Sequence, residues 1–246
     1  MKVKNTGRYI FILFLIFILW HIASAAVKSP LFPPPTAVFC NLREVFFSKI
    51  AVHAALSIYR IVAGLIISVL IGSILGLLMG FYHSVDRVLS PVIYFIYPIP
   101  KIALLPIVMI LFGLGELSKI TLIVIITVFQ IVITMRDTVK NIPKETFYSL
   151  TSLGAGDIVV FKEIILPAAA PELLTAVRLG AGTAISVLFF TENFGTVQGI
   201  GYFIMDAWMR VNYIDMYSGI LVLGGIGLIL FSFVDALDRI FYRWKN

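Results

Sequence analysis

Residues 56–82 read LSIYRIVAGLIISVLIGSILGLLMGFY, and the only charge among them is Arg60. At about 1.5 Å of rise per helical residue, such a run crosses a hydrocarbon core of about 30 Å. It is continuously apolar, whereas the strands of a membrane barrel are roughly ten-residue alternating segments. Ser68, Gly72, Gly76 and Gly80 recur at every fourth residue and so share one helix face. Small residues at that spacing let two helices close up in lipid. The stripe predicts tight packing against a second helix; a direct place in a solute pathway is the alternative.

The rest of the chain extends this pattern. Of its 246 residues 60% are hydrophobic and 13% charged, against about 25% charged in a soluble domain. There is too little polar surface to cover a water-soluble globule. A first apolar run, Tyr9–Val27, follows Lys2, Lys4 and Arg8. Ala23-Ser24-Ala25 resembles a signal-peptidase site, but the run is longer than a signal h-region and reads as a retained helix. Residues 28–54 differ: Pro30, Pro33, Pro34 and Pro35 argue against a helix, and Arg43, Glu44 and Lys49 mark a short amphipathic stretch expected at the membrane surface. After Leu56–Tyr82, further spans are predicted at Val88–Leu111, Ile120–Met135, Glu172–Phe190 and Met216–Leu237, six in all. The segment 192–215 is mixed, with room for a short helix. The fold class is therefore all-α and polytopic, with about six transmembrane helices.

Six spans place both termini on one side. Lys2, Lys4 and Arg8, the loop residues Arg136, Lys140, Lys144 and Lys162, and Arg239, Arg243 and Lys245 fall together there. Positive residues favour the cytoplasmic side, so the termini and the long loop are expected in the cytoplasm. The net charge of +6 is thus a membrane bias and not a nucleic-acid face, because the basic residues sit at the ends of apolar runs. Cys40 is the single cysteine, which excludes an intrachain disulfide and a cysteine metal cluster.

Three places carry candidate mechanism. The third span is interrupted by Pro98, Pro100 and Pro106, and Lys101 follows the first two. Broken helices free backbone carbonyls and often mark transport sites. Lys101 either meets an anionic solute or snorkels to the interface. Arg60 and Arg178 lie inside helical runs, where a fixed ion pair or snorkelling is expected. Glu192 closes the fifth span and either lines an exit or caps a helix end. The third place is the polar stretch from Arg136 to Pro171. Pro143 suits the first turn of a short helix, Phe147, Leu150 and Leu153 share a face by spacing, and Gly154 is placed to end that helix in a left-handed conformation. Asp157 suits the start of a second short helix, with Pro167 and Pro171 leading into the next span. A helix–turn–helix shelf of this kind suits docking of a soluble partner.

The same residues carry a family resemblance. Gly154, Ile164, Leu166 and Pro167 are similar to the cytoplasmic-loop signature of binding-protein-dependent ABC importer permeases, which reads Glu-Ala-Ala, three residues, Gly, nine residues, Ile, one residue, Leu-Pro. The stretch Ser57 to Gly64 resembles the opening of that family's transmembrane domain. Ser90-Pro91 through Pro98-Ile99-Pro100, Pro106, and Phe112 through Lys119 resemble the branch that imports nitrate, sulfonates and taurine. Gly199-Ile200-Gly201-Tyr202 is similar to a segment before that branch's last helix. The resemblance covers about 53–237. It implies an N-terminal helix with an external amphipathic segment at 1–52, the transmembrane domain at 53–237 and a basic tail at 238–246. One departure is plain: Tyr148, Ser149 and Leu150 occupy the Glu-Ala-Ala positions, and Glu145 lies one turn earlier.

The resemblance implies an ABC type I importer permease in an inner membrane. A coupling loop of Glu145, Phe147, Tyr148, Ser149, Leu150, Gly154, Asp157, Ile164, Leu166 and Pro167 would seat on a separate ATP-binding subunit, two copies per complex. A second, identical permease chain would complete the pore. A periplasmic or lipid-anchored substrate-binding protein would deliver the solute over 192–215 and 28–54. Pro98, Pro100, Lys101 and Glu192 are the candidate pathway residues. No cofactor, metal or nucleic acid is implied. An ATP-independent carrier or channel is the alternative; it explains the broken span but not the loop signature. A membrane enzyme is disfavoured, because the chain has no Gly-x-x-x-x-Gly-Lys, His-Glu-x-x-His or Gly-x-Ser-x-Gly pattern.

Overall fold

The computed structural model describes residues 6–241; Lys2, Lys4, Arg243 and Lys245 lie outside the described residues. In chain order the helices are α1 (Thr6–Val27), α2 (Pro35–Val45), α3 (Ala51–Phe81), α4 (His83–Ile96), α5 (Leu105–Phe112), α6 (Glu116–Lys140), α7 (Lys144–Thr151), α8 (Asp157–Val160), α9 (Leu166–Glu192), α10 (Ile200–Met209) and α11 (Tyr213–Phe241). Among the described residues, four helical stretches are long and apolar enough to cross a membrane: Pro35–Phe81, Glu116–Lys140, Asp157–Glu192 and Tyr213–Ile240. The bent pair α4–α5 makes a fifth if its halves count as one span. The first expected span corresponds to α1, whose described apolar part, Phe11–Val27, is shorter.

Three helices run further than the sequence suggests. The prolines before α2 do not keep residues 28–54 out of the helix. Pro34 is the extended N-cap and Pro35 the first helical residue, where a missing N–H costs nothing. A π-helical turn at Phe46–Ile50 then joins α2 to α3 without a break, so the surface segment and the second span are one helix running across the boundary expected at 52/53. Likewise the fifth span does not begin at Glu172. A π-helical turn at Phe161–Ile165 joins α8 to α9, and the helix runs from Asp157 through Pro167 and Pro171 to Glu192. Pro167 sits in the first turn of α9. A π-helical turn already leaves an i−4 bond unmade nearby, which explains how Pro167 fits here, while Pro171 lies further on, inside α9. α6 also outruns its expected Ile120–Met135, because its charged ends are helical too.

The centre of the bundle is α3 against α6, which run parallel. Gly64, Ser68, Gly72, Gly76 and Gly80 face α6 in succession. A Cβ on Gly76 would lie 2.5 Å from the Val132 carbonyl oxygen and 2.6 Å from Met135 Cβ. At Gly80 it would lie 2.5 Å from Val139 Cβ. Ser68 Oγ sits 2.6 Å from Thr127 Oγ1, and each hydroxyl also bonds the carbonyl one turn back in its own helix. The stripe read from the sequence is thus the packing device. α9 lies antiparallel to this pair and presents small residues, with Ala169, Ala176, Ala181 and Ala184 buried. α10 is inserted at one end of the bundle, with Ile200, Phe203, Ile204 and Ala207 buried.

The outward faces stay apolar: Phe11, Leu13 and Phe14 on α1, Ile66, Leu70 and Ile74 on α3, and Leu228, Ile229 and Phe233 on α11 are exposed. Lipid is the environment that such a continuous apolar girdle requires. The third span breaks where the prolines predict. After α4 the chain turns by 84° through Pro98 and Pro100, passes a short 3₁₀ turn at Lys101–Leu104 and continues as α5. Gly113, at φ 77°, then reverses the chain into α6.

Candidate functional site

Candidate functions are stacked along the bundle axis. At one end stands the shelf. Pro143 is the extended N-cap of α7, one residue before the first-turn place expected for it. Gly154 is left-handed at φ 79°, as its position predicts. The Ala155 N–H donates to the Leu150 carbonyl (3.2 Å) and the Gly154 N–H to that of Thr151 (3.0 Å), which closes the helix end. Asp157 opens the next helix directly after Gly156. Phe147 packs into the core cluster around Ile131, Met135 and Ile165. Ile164 is buried as well, so these two anchor the shelf. Glu145, Tyr148, Ser149, Gly154, Asp157, Leu166 and Pro167 are exposed, and Leu150 is half-buried. Leu153 does not share the buried side of Phe147: it is 82% exposed, and Ile158 beside it is 85% exposed. A polar end of the bundle therefore carries uncovered apolar side chains on a rigid turn.

Just inside the shelf, Asp86 on α4 is buried and gathers three partners. Arg136 Nε donates to Oδ1 at 2.5 Å, Lys140 pairs with the same carboxylate, and Ser90 Oγ donates to Oδ1 at 2.6 Å. Arg136 and Lys140 are the last basic residues of α6 before the shelf. Asp86 was not among the residues singled out by sequence; its place in a short polar link gave no sign that it turns inward.

Midway along the bundle, the broken span meets α6 and α9 around a cavity of about 370 Å³ lined by Tyr97, Lys101, Ile102, Ile126, Gln130 and Val187. Lys101 Nζ donates to the Tyr97 carbonyl at 2.8 Å and lies 5.1 Å from the centre of the Phe129 ring. Gln130 Nε2 reaches Thr183 Oγ1 on α9 at 3.3 Å, while its Oε1 is buried without a partner. Pro98 lines a second cavity of about 480 Å³, between α4 and α6, with Ser90 and Arg136 at its polar edge. Pro100 caps the 3₁₀ turn that carries Lys101.

At the far end, Glu192 is fully enclosed and lines no described cavity; it belongs to a closed charge cluster. Arg60 Nη1 donates to its Oε1 at 2.6 Å, and Ser57 Oγ and the Gly201 N–H add bonds of 2.8 Å. The other edge of the Arg60 guanidinium forks onto Glu116, with both bonds at 2.6 Å. Lys119, also buried, donates to the Leu114 and Gly115 carbonyls. Two cations and two carboxylates thus form a neutral group joining α3, α6, α9 and the entry to α10. The backbone crowds it: a Cβ on Gly199, at φ 121°, would overlap the Glu192 carboxylate. Fixed pairing, one of two roles expected for Arg60, is what the structure has, and Arg178 likewise pairs with Asp235. Sequence reading named Arg60 and Glu192 separately, and Glu116 only within the stretch Phe112 to Lys119; nothing in their spacing joins residues so far apart in the chain.

The molecule is thus an all-helical bundle of apolar spans with one span broken, a cavity against the break and a helical shelf at one end. The sequence profile of the family described as binding-protein-dependent transport system inner membrane component matches residues 68–246. The chain is 32% identical to the taurine transport system permease protein TauC of Escherichia coli, over 92% of this chain and 85% of that one. It is 28% identical to the putative aliphatic sulfonates transport permease protein SsuC of Bacillus subtilis, over 93% and 84% of the two chains. An inward-facing structure of the MetNI methionine ABC transporter shares the fold, with a TM-score of 0.63 and 18% identity over 74% of this chain and 93% of that one. The chain belongs to the binding-protein-dependent transport system inner membrane component family. It is the membrane-spanning permease of an ATP-driven importer, and ATP hydrolysis falls to a separate subunit.

Proposed function

We propose that two copies of this chain form the translocation pathway for a small sulfonate-class solute and that each shelf, residues 143–167, seats one ATP-binding subunit. In this reading the shelf and both termini face the cytoplasm, and an external binding protein delivers solute to the opposite end, over 28–54 and 192–215. The observation that carries it is the shelf. Phe147 and Ile164 hold it rigidly from below, while Tyr148, Leu153 and Ile158 stand uncovered above. A soluble groove would bury those side chains. Glu145 stands exposed in the first turn of α7, one turn before Tyr148 and Ser149; it supplies the carboxylate that the Glu-Ala-Ala positions lack. Relatives that carry taurine and aliphatic sulfonates support the solute class.

The test is co-purification in mild detergent. A tagged chain is expected to bring down an ATP-binding protein in about one-to-one ratio. Gly154→Trp is expected to remain in the membrane but lose both that partner and uptake, because a side chain is strained at φ 79° and the shelf turn would shift. Normal uptake by Gly154→Trp would refute the docking role.

A further inference from the structure

We infer that the cavity between the broken span, α6 and α9 is the solute's binding site inside the membrane, with Lys101 holding an anionic head and Gln130 accepting a hydrogen bond from a donor elsewhere on the same solute. The inference rests on the permease reading and adds the residues that select the solute. Three observations carry it. The cavity, about 370 Å³, has the room of a small-molecule site. Its one cation, Lys101, has only the Tyr97 backbone carbonyl at the end of α4 and two ring faces as partners in the described structure, with no carboxylate among them. The ammonium is therefore available to an anion, and its four-carbon stem is long enough to follow one. Finally, Gln130 holds Thr183 through its amide nitrogen and leaves Oε1 buried and unpaired. A buried acceptor without a partner is costly in any protein, and a ligand N–H or O–H would satisfy it.

The two groups come from different elements. Lys101 rides on the 3₁₀ turn after the break, whereas Gln130 is fixed in α6 and tied to α9. A solute touching both would bridge the break to the rigid pair α3–α6. The chemistry that fits is a compact molecule with an anionic group at one end and an amine or hydroxyl near the other. An alkanesulfonate without that donor would engage Lys101 alone.

Cysteine chemistry tests this in the assembled complex. Cys40 is the sole cysteine and lies exposed on α2, so Cys40→Ser gives a silent background into which Ile126→Cys, on the cavity wall, is introduced. An anionic methanethiosulfonate is expected to modify this reporter about tenfold faster than a cationic one of equal size, as a nearby unit positive charge dictates. Lys101→Gln should bring the ratio near one, and Lys101→Arg should keep it. Taurine at millimolar concentration is expected to slow modification more than ethanesulfonate does, and Gln130→Leu should erase that difference. Equal rates for the two reagents, a ratio that survives Lys101→Gln, or no protection by taurine would each overturn the inference. In that event, a complex that still carries its ATP-binding subunit and hydrolyses ATP would leave the permease reading standing.

Discussion

Replacing Arg60 by Met removes the centre of the enclosed charge cluster, and its consequence can be worked out from burial. The guanidinium and the Glu192 carboxylate are both fully buried, while Glu116 has 46% of its side chain exposed. In Arg60→Met, Glu192 keeps its bonds from Ser57 Oγ and the Gly201 N–H but loses its countercharge where water does not reach. Breaking a buried pair from one side costs about 3–5 kcal/mol. Glu116 turns to water and contributes little to the loss. Glu116→Gln, with Arg60 and Glu192 still paired, is therefore expected to cost about 1 kcal/mol or less, in the range of exposed pairs. Both carboxylates lie 2.6 Å from the same guanidinium, so distance alone would predict equal effects; burial is what separates them.

The assay is the thermal midpoint of the detergent-solubilised chain, followed by loss of monodisperse protein, for Arg60→Met, Glu192→Gln, Glu116→Gln and the double variant Arg60→Met/Glu192→Gln. The double variant neutralises the stranded charge and is expected to recover most of the loss in Arg60→Met, a coupling that only residues in direct contact show. The reasoning fails if Glu116→Gln is as damaging as Arg60→Met, or if the double variant is the sum of its parts.

Two further outcomes follow from particular contacts. Gly76→Val should prevent α3 from closing on α6 and cost at least about 3 kcal/mol, since even its Cβ would meet the Val132 carbonyl at 2.5 Å, which lies on a backbone that cannot yield; Gly224→Val, with nothing within 4 Å of a Cβ, should express and melt like the parent, and equal behaviour of the two would discount the stripe. Asp86→Asn should leave Arg136 and Lys140 facing each other without the carboxylate between them, lowering stability by about 1–3 kcal/mol and reducing uptake per ATP hydrolysed; unchanged coupling in reconstituted vesicles would restrict Asp86 to a packing role.

What the sequence made legible divides along physical lines. Short-range rules worked where one residue decides its own backbone: Gly154 is left-handed, Pro98 and Pro100 break the third span, and the four-residue stripe on α3 packs against a helix. The same rules misled where a helix tolerates what normally stops it. Pro35 argued against a helix over 28–54, and Pro167 and Pro171 were placed ahead of the fifth span, yet Pro35 opens one continuous helix and the other two lie within another, Pro167 just after a π-helical turn that relaxes the hydrogen-bond ladder. Polar residues were harder. Glu192 could be read as an exit-lining acid or a cap, and it became the sealed partner of Arg60 because α9 ends beside the start of α3. Gln130 drew no notice in an apolar run, since an unpaired amide oxygen is a property of its surroundings and not of its neighbours in sequence.

The placement of these groups argues for one helix as the common member of every site. α6 carries Glu116 and Lys119 in the enclosed cluster, Gln130 on the cavity and Arg136 and Lys140 on Asp86, and it leads directly into the shelf. Its contact with α3 is close at Gly72, Gly76 and Gly80, where the α6 carbonyls of Val128, Val132 and Arg136 and the Cβ atoms of Ile131, Met135 and Val139 fill the space that a side chain on each glycine would need. Interfaces of this kind move as units and deform little. A displacement imposed at Lys140 would therefore travel with α3 and α6 together toward Glu116 and Arg60. The bend at Pro98 and Pro100 is different: the chain turns by 84° there, and its turn bonds include those of the Ile99 and Ala103 N–H groups. Relative movement between the rigid pair and the broken span would be taken up at that bend, and the cavity that holds Lys101 on one wall and Gln130 on the other lies across it. A change in the angle of the break alters the separation of those two side chains, and with it the affinity for any solute that must touch both. An effector can shift an equilibrium only through such a difference in affinity between two states, and under the proposed solute site this cavity would be where the fold provides one.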